Sequence, residues 1–311
     1  MKKQATRDAY GQALLELGAL YDNVVVLDAD LSKSTKTVEF ARAYPERFIN
    51  AGIAEQNMMG MAAGLASCGK VVFASSFAIF ATGRAFEQVR NSIAYANLNV
   101  KICATHAGIT VGEDGGSHQS VEDIALMRSV PNMTVIVPAD GISTRKALFQ
   151  LYQHDGPAYL RLGRPAVPQI HHPEMEFAIG RAVELRSGKD LSLMACGIMV
   201  SKALQAAEIL AGEGIEVSVV DMLSIKPLDK EMIISKARES GALLTLEEHS
   251  IIGGLGSGVC EVVCEYCPVP VSCLGINDLF GQSGSPEELL QYYGLGVEQI
   301  VEKARNLLKK K

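Results

Sequence analysis

Apolar residues recur along this chain in two alternating patterns. Short apolar runs at 23–29 (NVVVLDA), Val71–Ala74, Val100–Thr105, Thr134–Val137 and 157–162 read as buried strands. Between them, apolar positions three and four residues apart predict helices at 5–21, with Thr6 as N-cap, and at 54–67, 82–96, 120–129 and 140–153. The alternation lapses over 163–189, where Pro165, Pro168 and Pro173 fall beside His171 and His172. It resumes with strands at 191–196, 216–221, 242–247 and 269–274 and helices at 199–213, 228–240 and 253–266. A terminal helix spans 286–309, with a break at Gly294-Leu295-Gly296. Strands alternating with helices of this length predict parallel sheets covered on both faces. The fold class is therefore α/β, as two doubly wound domains at 1–165 and 188–311 joined by a linker at 166–187.

Composition narrows the class. Of 311 residues, 48% are hydrophobic and 21% charged, which excludes wholesale disorder. Lys plus Arg is 29 and Asp plus Glu is 35, so the net charge of −6 gives no footprint for nucleic acid or an anionic membrane. The most apolar stretch, Met58 to Ala81, is interrupted by Gly69-Lys70 and by Ser75-Ser76, too broken for a membrane span. MKKQATRDAY lacks the apolar core of a signal peptide, and seven cysteines then read as free thiols in a reducing cytoplasm.

Three motifs are set aside. Gly64 to Lys70 has P-loop spacing, but Val71 follows where Ser or Thr would hold magnesium, and the segment closes a helix rather than opening one. Gly253 to Gly258 opens a helix after a strand, without dinucleotide spacing, and reads as a close-packed corner. Cys260, Cys264 and Cys267 have the spacing of a cluster-binding motif, yet they fall in an apolar helix where cysteines are commonly just buried.

Glu55 stands out as the one carboxylate in INAGIAEQNMMGMAAGLA, at a strand-to-helix corner. Burial there raises a carboxyl's pKa and suits it to donate a proton to a ring nitrogen. The same residue also suits a helix N-terminus, where the macrodipole favours an acid. The residues alone leave both readings open.

Gly52-Ile53-Ala54-Glu55-Gln56 resembles the motif of the thiamine-diphosphate enzymes of the transketolase superfamily. In that family the acid bonds a nitrogen of the cofactor's aminopyrimidine and shuttles its proton. The resemblance makes Glu55 catalytic and cofactor-binding. Thr105 to Gln119 resembles the transketolase substrate loop, with His106 on the substrate phosphate, Asp114 on a hydroxyl of the acceptor, and His118 on a donor hydroxyl and in catalysis. Thr6-Arg7, Asp28 to Ser34 and Arg161 to Arg164 resemble further family segments. By that likeness Arg7, Ser34 and Arg164 bind phosphate and Asp30 lies near the cofactor. Phe77 and Phe80 resemble the aromatic pair that packs its pyrimidine ring. The family often carries a third aromatic three residues before Phe77, where this chain has Ala74. That leaves the pocket looser, or filled by Phe73 or by a partner.

The likeness covers nearly the whole chain, with 188–311 similar to the family's C-terminal domain, which mainly buries dimer surface. A complete member is about twice as long, and its N-terminal domain holds the diphosphate and Mg2+ through Gly-Asp-Gly and a later Asn. Gly-Asp-Gly occurs nowhere here. The resemblance implies the C-terminal subunit of a split transketolase, passing a two-carbon ketol unit between sugar phosphates. It implies an N-terminal partner subunit in an α2β2 assembly, with Mg2+ held mainly by that partner and no metal ligand on this chain. The alternatives are a β subunit of a 2-oxo-acid dehydrogenase, which shares Gly-Ile-Ala-Glu-Gln, and a non-catalytic scaffold.

Overall fold

The computed structural model describes residues 2–311. A seven-stranded sheet organises the first half, with one edge strand contributed by the second. Its spatial order is Ser224–Lys226, Thr134–Ile136, Ala158–Arg161, Val100–Thr105, Val71–Phe77, Val24–Asp28 and Phe48–Asn50. All neighbours are parallel except Ser224–Lys226, which runs antiparallel to Thr134–Ile136. Side-chain alternation explains why the strands are apolar at every position. Val25 and Leu27 join a core with Met58, Met59 and Ile93, whereas Val24 and Val26 join another with Tyr10, Leu14 and Leu151. Helix Glu55–Ser67 thus covers one face, and helices Thr6–Leu20 and Gly141–Gln153 cover the other.

The second sheet has the order Val271–Ile276, Leu243–Ser250, Leu191–Ala195, Val217–Asp221 and Val183–Arg186. Only the last strand is antiparallel. The terminal helix is divided into Pro286–Tyr292 and Val297–Leu308, on either side of Gly294 at φ 72°. Among the described residues no helix is long and apolar enough to cross a membrane.

The stretch 166–187, expected as linker from its prolines, is ordered. Ala166–Pro168 pairs with Lys3–Ala5, and Val183–Arg186 belongs to the second sheet. Between them His171 is buried, its ring nitrogens 3.2 Å from Asp140 Oδ1 and 3.2 Å from Asp221 Oδ2. Asp140 caps helix Gly141–Gln153 of the first half, and Asp221 ends a strand of the second. The flanking carboxylates push the His171 pKa up to about 9 despite its burial. One core also runs through both halves, from Met58 to Met194, Val220 and Leu255.

Thr6 is not the N-cap expected. Ala5 holds that place, and the Thr6 hydroxyl instead accepts from the Gly163 amide at 2.8 Å, tying the first helix to the end of the first domain. The helix expected at 82–96 starts earlier and is π-type over Phe80–Arg84 and Gln88–Ala94. Such widened turns are frequent at functional sites.

Candidate active site

Parallel register aligns the strand ends. Asp28 lies opposite Ser75, Phe77 opposite Thr105, and Ala104 opposite Arg161. The winding direction reverses between Val24–Asp28 and Val71–Phe77. Open α/β sheets bind ligands at such a reversal, outside the carboxyl ends of the strands. The residues assigned to the site from the sequence come from loops and helix starts at this edge, with Phe77 as the last residue of its strand.

Glu55 is the first residue of helix Glu55–Ser67 and is 2% exposed. Its surroundings are not wholly apolar, as the sequence suggested. Arg84 Nη1 donates to both carboxylate oxygens, at 3.1 and 2.9 Å. Arg84 arises in the π-helical segment, and its guanidinium lies 4.6 Å over the Phe80 ring. The Phe80 ring is in turn edge-on to His118 at 5.3 Å and stacked on Phe77 at 6.0 Å. Phe77 stacks on His106 at 3.9 Å. Glu55, Phe80, Phe77 and both histidines therefore form one contiguous face. Phe73 does not fill the space left by Ala74. It is buried in the opposite core with Tyr10 and Leu14.

His106 sits at φ 57°, a left-handed conformation that costs a non-glycine residue roughly 1–3 kcal/mol. Its ring is fixed on both sides. Arg7 Nη1 stands 3.0 Å from Nε2, and Thr105 Oγ1 stands 2.8 Å from Nδ1. A guanidinium can only donate, so Nε2 accepts and Nδ1–H points to Thr105. Burial, with Arg7 and Arg164 nearby, pushes the His106 pKa down to about 3, so the ring is neutral. Arg7 also donates to the Ser34 carbonyl at 3.1 Å, and its Nε is buried without a partner. Burial lowers the Arg7 pKa, and Arg164 presses the same way. Two guanidiniums facing a neutral imidazole make a site whose repulsion an anion would relieve.

Arg164 donates to the Val111 carbonyl and lies 3.4 Å from Glu113 Oε2 and 3.7 Å from Asp114 Oδ2. Asp114 thus joins the cluster of Arg7, His106 and Arg164 through Arg164. His118 Nδ1 is 3.0 Å from Ser117 Oγ, which leaves Nε2 for a ligand. Asp30, at φ 64°, accepts from Asn50 Nδ2 at 2.9 Å, and Asn50 Oδ1 also receives the amides of Asp30 and Gly52. That bridge ties Asp30 to the corner carrying Glu55. Beneath it buried Asp28 accepts from Leu31 N, Thr35 Oγ1 and Thr37 Oγ1 at 2.6, 2.6 and 2.9 Å, shaping the loop that carries Ser34.

Arg84 and Asn50 were missed in the sequence. Arg84 lies 29 residues from Glu55, outside any local motif. The spacing Asn50-x-Gly52 was visible, but nothing in it pointed to Asp30. The glycine-rich corner at 253–258 is filled from within, as the Glu247 carboxylate accepts from Leu255 N at 2.7 Å and Gly256 N at 2.8 Å.

Residues 2–169 match the family "Transketolase, pyrimidine binding domain", and 180–300 match "Transketolase, C-terminal domain". The chain is 52% identical over 98% of its length to a Methanocaldococcus jannaschii protein, 96% of which is covered, provisionally described as a transketolase C-terminal section. It is 39% identical to human transketolase over 99% of this chain but only 50% of that protein. A solved structure described as "Split gene transketolase, inactive beta4 tetramer" superposes with a TM-score of 0.92 at 55% identity, covering 98% of both chains. The chain belongs to the transketolase family, a family of thiamine-diphosphate-dependent transferases.

Proposed function

We propose that this chain is the pyrimidine-binding and C-terminal subunit of a split transketolase. It transfers a two-carbon ketol unit from a ketose phosphate to an aldose phosphate, together with an N-terminal partner subunit. The observation that carries this reading is the continuous face from Glu55 through Phe80, Phe77 and His106 to Arg7, which joins a buried acid, aromatic surfaces and an anion site.

The residues fit the pyrimidine half of thiamine diphosphate. Both Glu55 oxygens meet one nitrogen of Arg84, which leaves each with a lone pair for a ring nitrogen. Arg84 is half exposed and can swing off the carboxylate. When bound, the cofactor supplies an electron sink that lets the bond beside a carbonyl break. Glu55 then holds and moves the proton at the ring nitrogen, in a place from which water is excluded. Phe77 and Phe80 flank the ring, and Asp30 shapes the adjoining corner. His118 and Asp114 orient the sugar hydroxyls. Arg7, Arg164 and Ser34 take the phosphate, with neutral His106 holding Arg7 in place.

The partner follows from what this half lacks. Gly-Asp-Gly is absent, so we assign Mg2+ and the diphosphate mainly to the N-terminal subunit. Ile53, two residues from Glu55, is 79% exposed and suits burial against that subunit in an α2β2 assembly. We take 1–165 and 188–311 as the two units of this chain, with Ala166–Pro168 attached to the first and Val183–Arg186 to the second. Seven free cysteines suit a cytoplasmic setting.

One relative, at 44% identity, is described as a subunit of a 6-deoxy-6-sulfo-D-fructose transketolase, and another, at 40%, as a subunit of an apulose-4-phosphate transketolase. The test is therefore a substrate panel on the assembled complex. Turnover with ketose and aldose phosphates, such as xylulose 5-phosphate with ribose 5-phosphate, supports the proposal. Turnover only with pyruvate and lipoamide would assign the chain to a 2-oxo-acid dehydrogenase instead.

A further inference from the structure

The loop Gly108–Gln119 belongs to the first domain, yet much of its footing comes from the second. Glu248, on strand Leu243–Ser250, is 4% exposed, and its Oε1 accepts from the Thr110 amide at 2.7 Å. A β-carbon at Gly108, where φ is 78°, would lie 2.3 Å from the Glu248 carboxyl carbon, so glycine is required at this closest approach. The nearest cation does not claim the carboxylate. Arg161 sends Nε and Nη2 to Asp123, at 2.7 and 3.1 Å, and reaches only the backbone carbonyl of Glu248, at 3.0 Å. Asp123 is further engaged by the Tyr159 hydroxyl at 2.6 Å.

Thr110 sits in the tight turn Ile109–Val111. The Gln119 amide grips the same turn, donating to Ile109 O at 3.0 Å and Gly112 O at 3.2 Å, and it reaches Gln282 O of the second domain at 2.9 Å. His106 lies just upstream of the turn, and the Val111 carbonyl at its end receives Arg164. A displaced turn would therefore move His106 and Arg164 together.

We propose that Glu248 is a positioning residue for sugar-phosphate binding, its carboxylate fixing the turn that places Arg164, and His106 with the Arg7 it holds, beside the ligand. This rests on the reading of 105–119 as the substrate loop. It gives the second domain a share in substrate recognition beyond burying dimer surface. Burial raises the Glu248 pKa, while Arg161 and the Thr110 amide press it down, and glutamine keeps the size and the acceptor oxygen of this side chain. The buried Thr110 Oγ1 also faces the Glu248 side chain and can accept from a glutamine amide at 248.

The test uses the assembled complex. Wild-type turnover on a ketose and aldose phosphate pair is measured first, and its absence would defeat the functional reading rather than this one. With wild-type activity in hand, E248A is expected to raise KM for the sugar phosphates by about tenfold or more, the usual scale for a lost charge-assisted hydrogen bond. kcat should stay within about threefold, and thiamine diphosphate affinity should be unchanged. E248Q keeps an acceptor oxygen for Thr110 and should restore KM to within about threefold of wild type. E248D keeps the charge but shortens the reach, and should raise KM even if E248A does not fold. The proposal is overturned if E248D leaves KM at the wild-type value. It is also overturned if E248Q is as impaired as the other variants, or if the loss appears in kcat with KM constant.

Discussion

The two halves of this chain are built alike and use the same place in opposite ways. Each has a parallel sheet whose strand ends open onto loops and helix N-termini. In the first half that edge carries groups still open to a ligand, namely the unpartnered Arg7 Nε and Glu55, whose one partner Arg84 is half exposed. In the second half the corresponding groups have found partners within the chain. Glu247 caps helix Leu255–Tyr266 through two amides, and Glu248 holds Thr110 of the other domain. One edge is left open for ligands, while the other is plugged to make an interdomain joint. Apart from Glu248, which reaches across to the loop of the open edge, substitutions should therefore separate into those that spoil chemistry with little change in stability and those that do the reverse.

The largest expected effect is at Glu55. Glu55→Ala should lower ketol transfer by the assembled enzyme by about a hundred- to ten-thousand-fold, the usual range for lost acid–base help, with little change in Tm. Steady-state rates and a thermal melt check this, and full activity would remove Glu55 from its assigned role. Arg7→Ala comes next. It deletes a cation facing the proposed phosphate and should raise KM for sugar phosphates by roughly ten- to a hundredfold. A substrate lacking the phosphate should be affected far less, and equal losses for both would place Arg7 elsewhere.

On the plugged side, Glu247→Ala leaves two buried amides without an acceptor. It should cost about 1–3 kcal/mol of stability, measured by denaturant unfolding, while KM for sugar phosphates stays near wild type. The smallest effect is a pH slope. Burial raises the Glu247 pKa to about 7 from 4.5. The native group keeps its proton up to about pH 7 while the unfolded one releases it near 4.5, so its contribution is full below 4.5 and lost as pH rises to 7. Glu247→Gln should flatten the dependence of Tm on pH across that window, and an unchanged slope would assign it to other groups.

The same contrast explains what the sequence could reveal. Strand and helix order was legible because continuous apolar runs and the period-3.6 pattern are local. The strands missed, Lys3–Ala5, Phe48–Asn50, Ala166–Pro168, Val183–Arg186 and Ser224–Lys226, are three or four residues each and exist only through distant partners. Prolines made 166–187 read as a linker, and His171 gave no sign that Asp140 and Asp221 would close around it. The candidate site residues that the structure brings together were legible where they lie in short motifs, as in the loop with His106 and His118. Arg84 and Glu248 were not, since they meet Glu55 and Thr110 from 29 and 138 residues away. Composition marked Glu55 as buried but could not show the guanidinium beside it.

On this reading the chain carries the proton-handling and sugar-reading half of an active site and needs another chain for the rest. The most direct test is ketol transfer by the purified chain supplied with thiamine diphosphate, Mg2+ and sugar phosphates, before and after adding an N-terminal subunit that carries Gly-Asp-Gly. No turnover alone, with turnover restored by the second chain, is the predicted result. Turnover by this chain alone would contradict it.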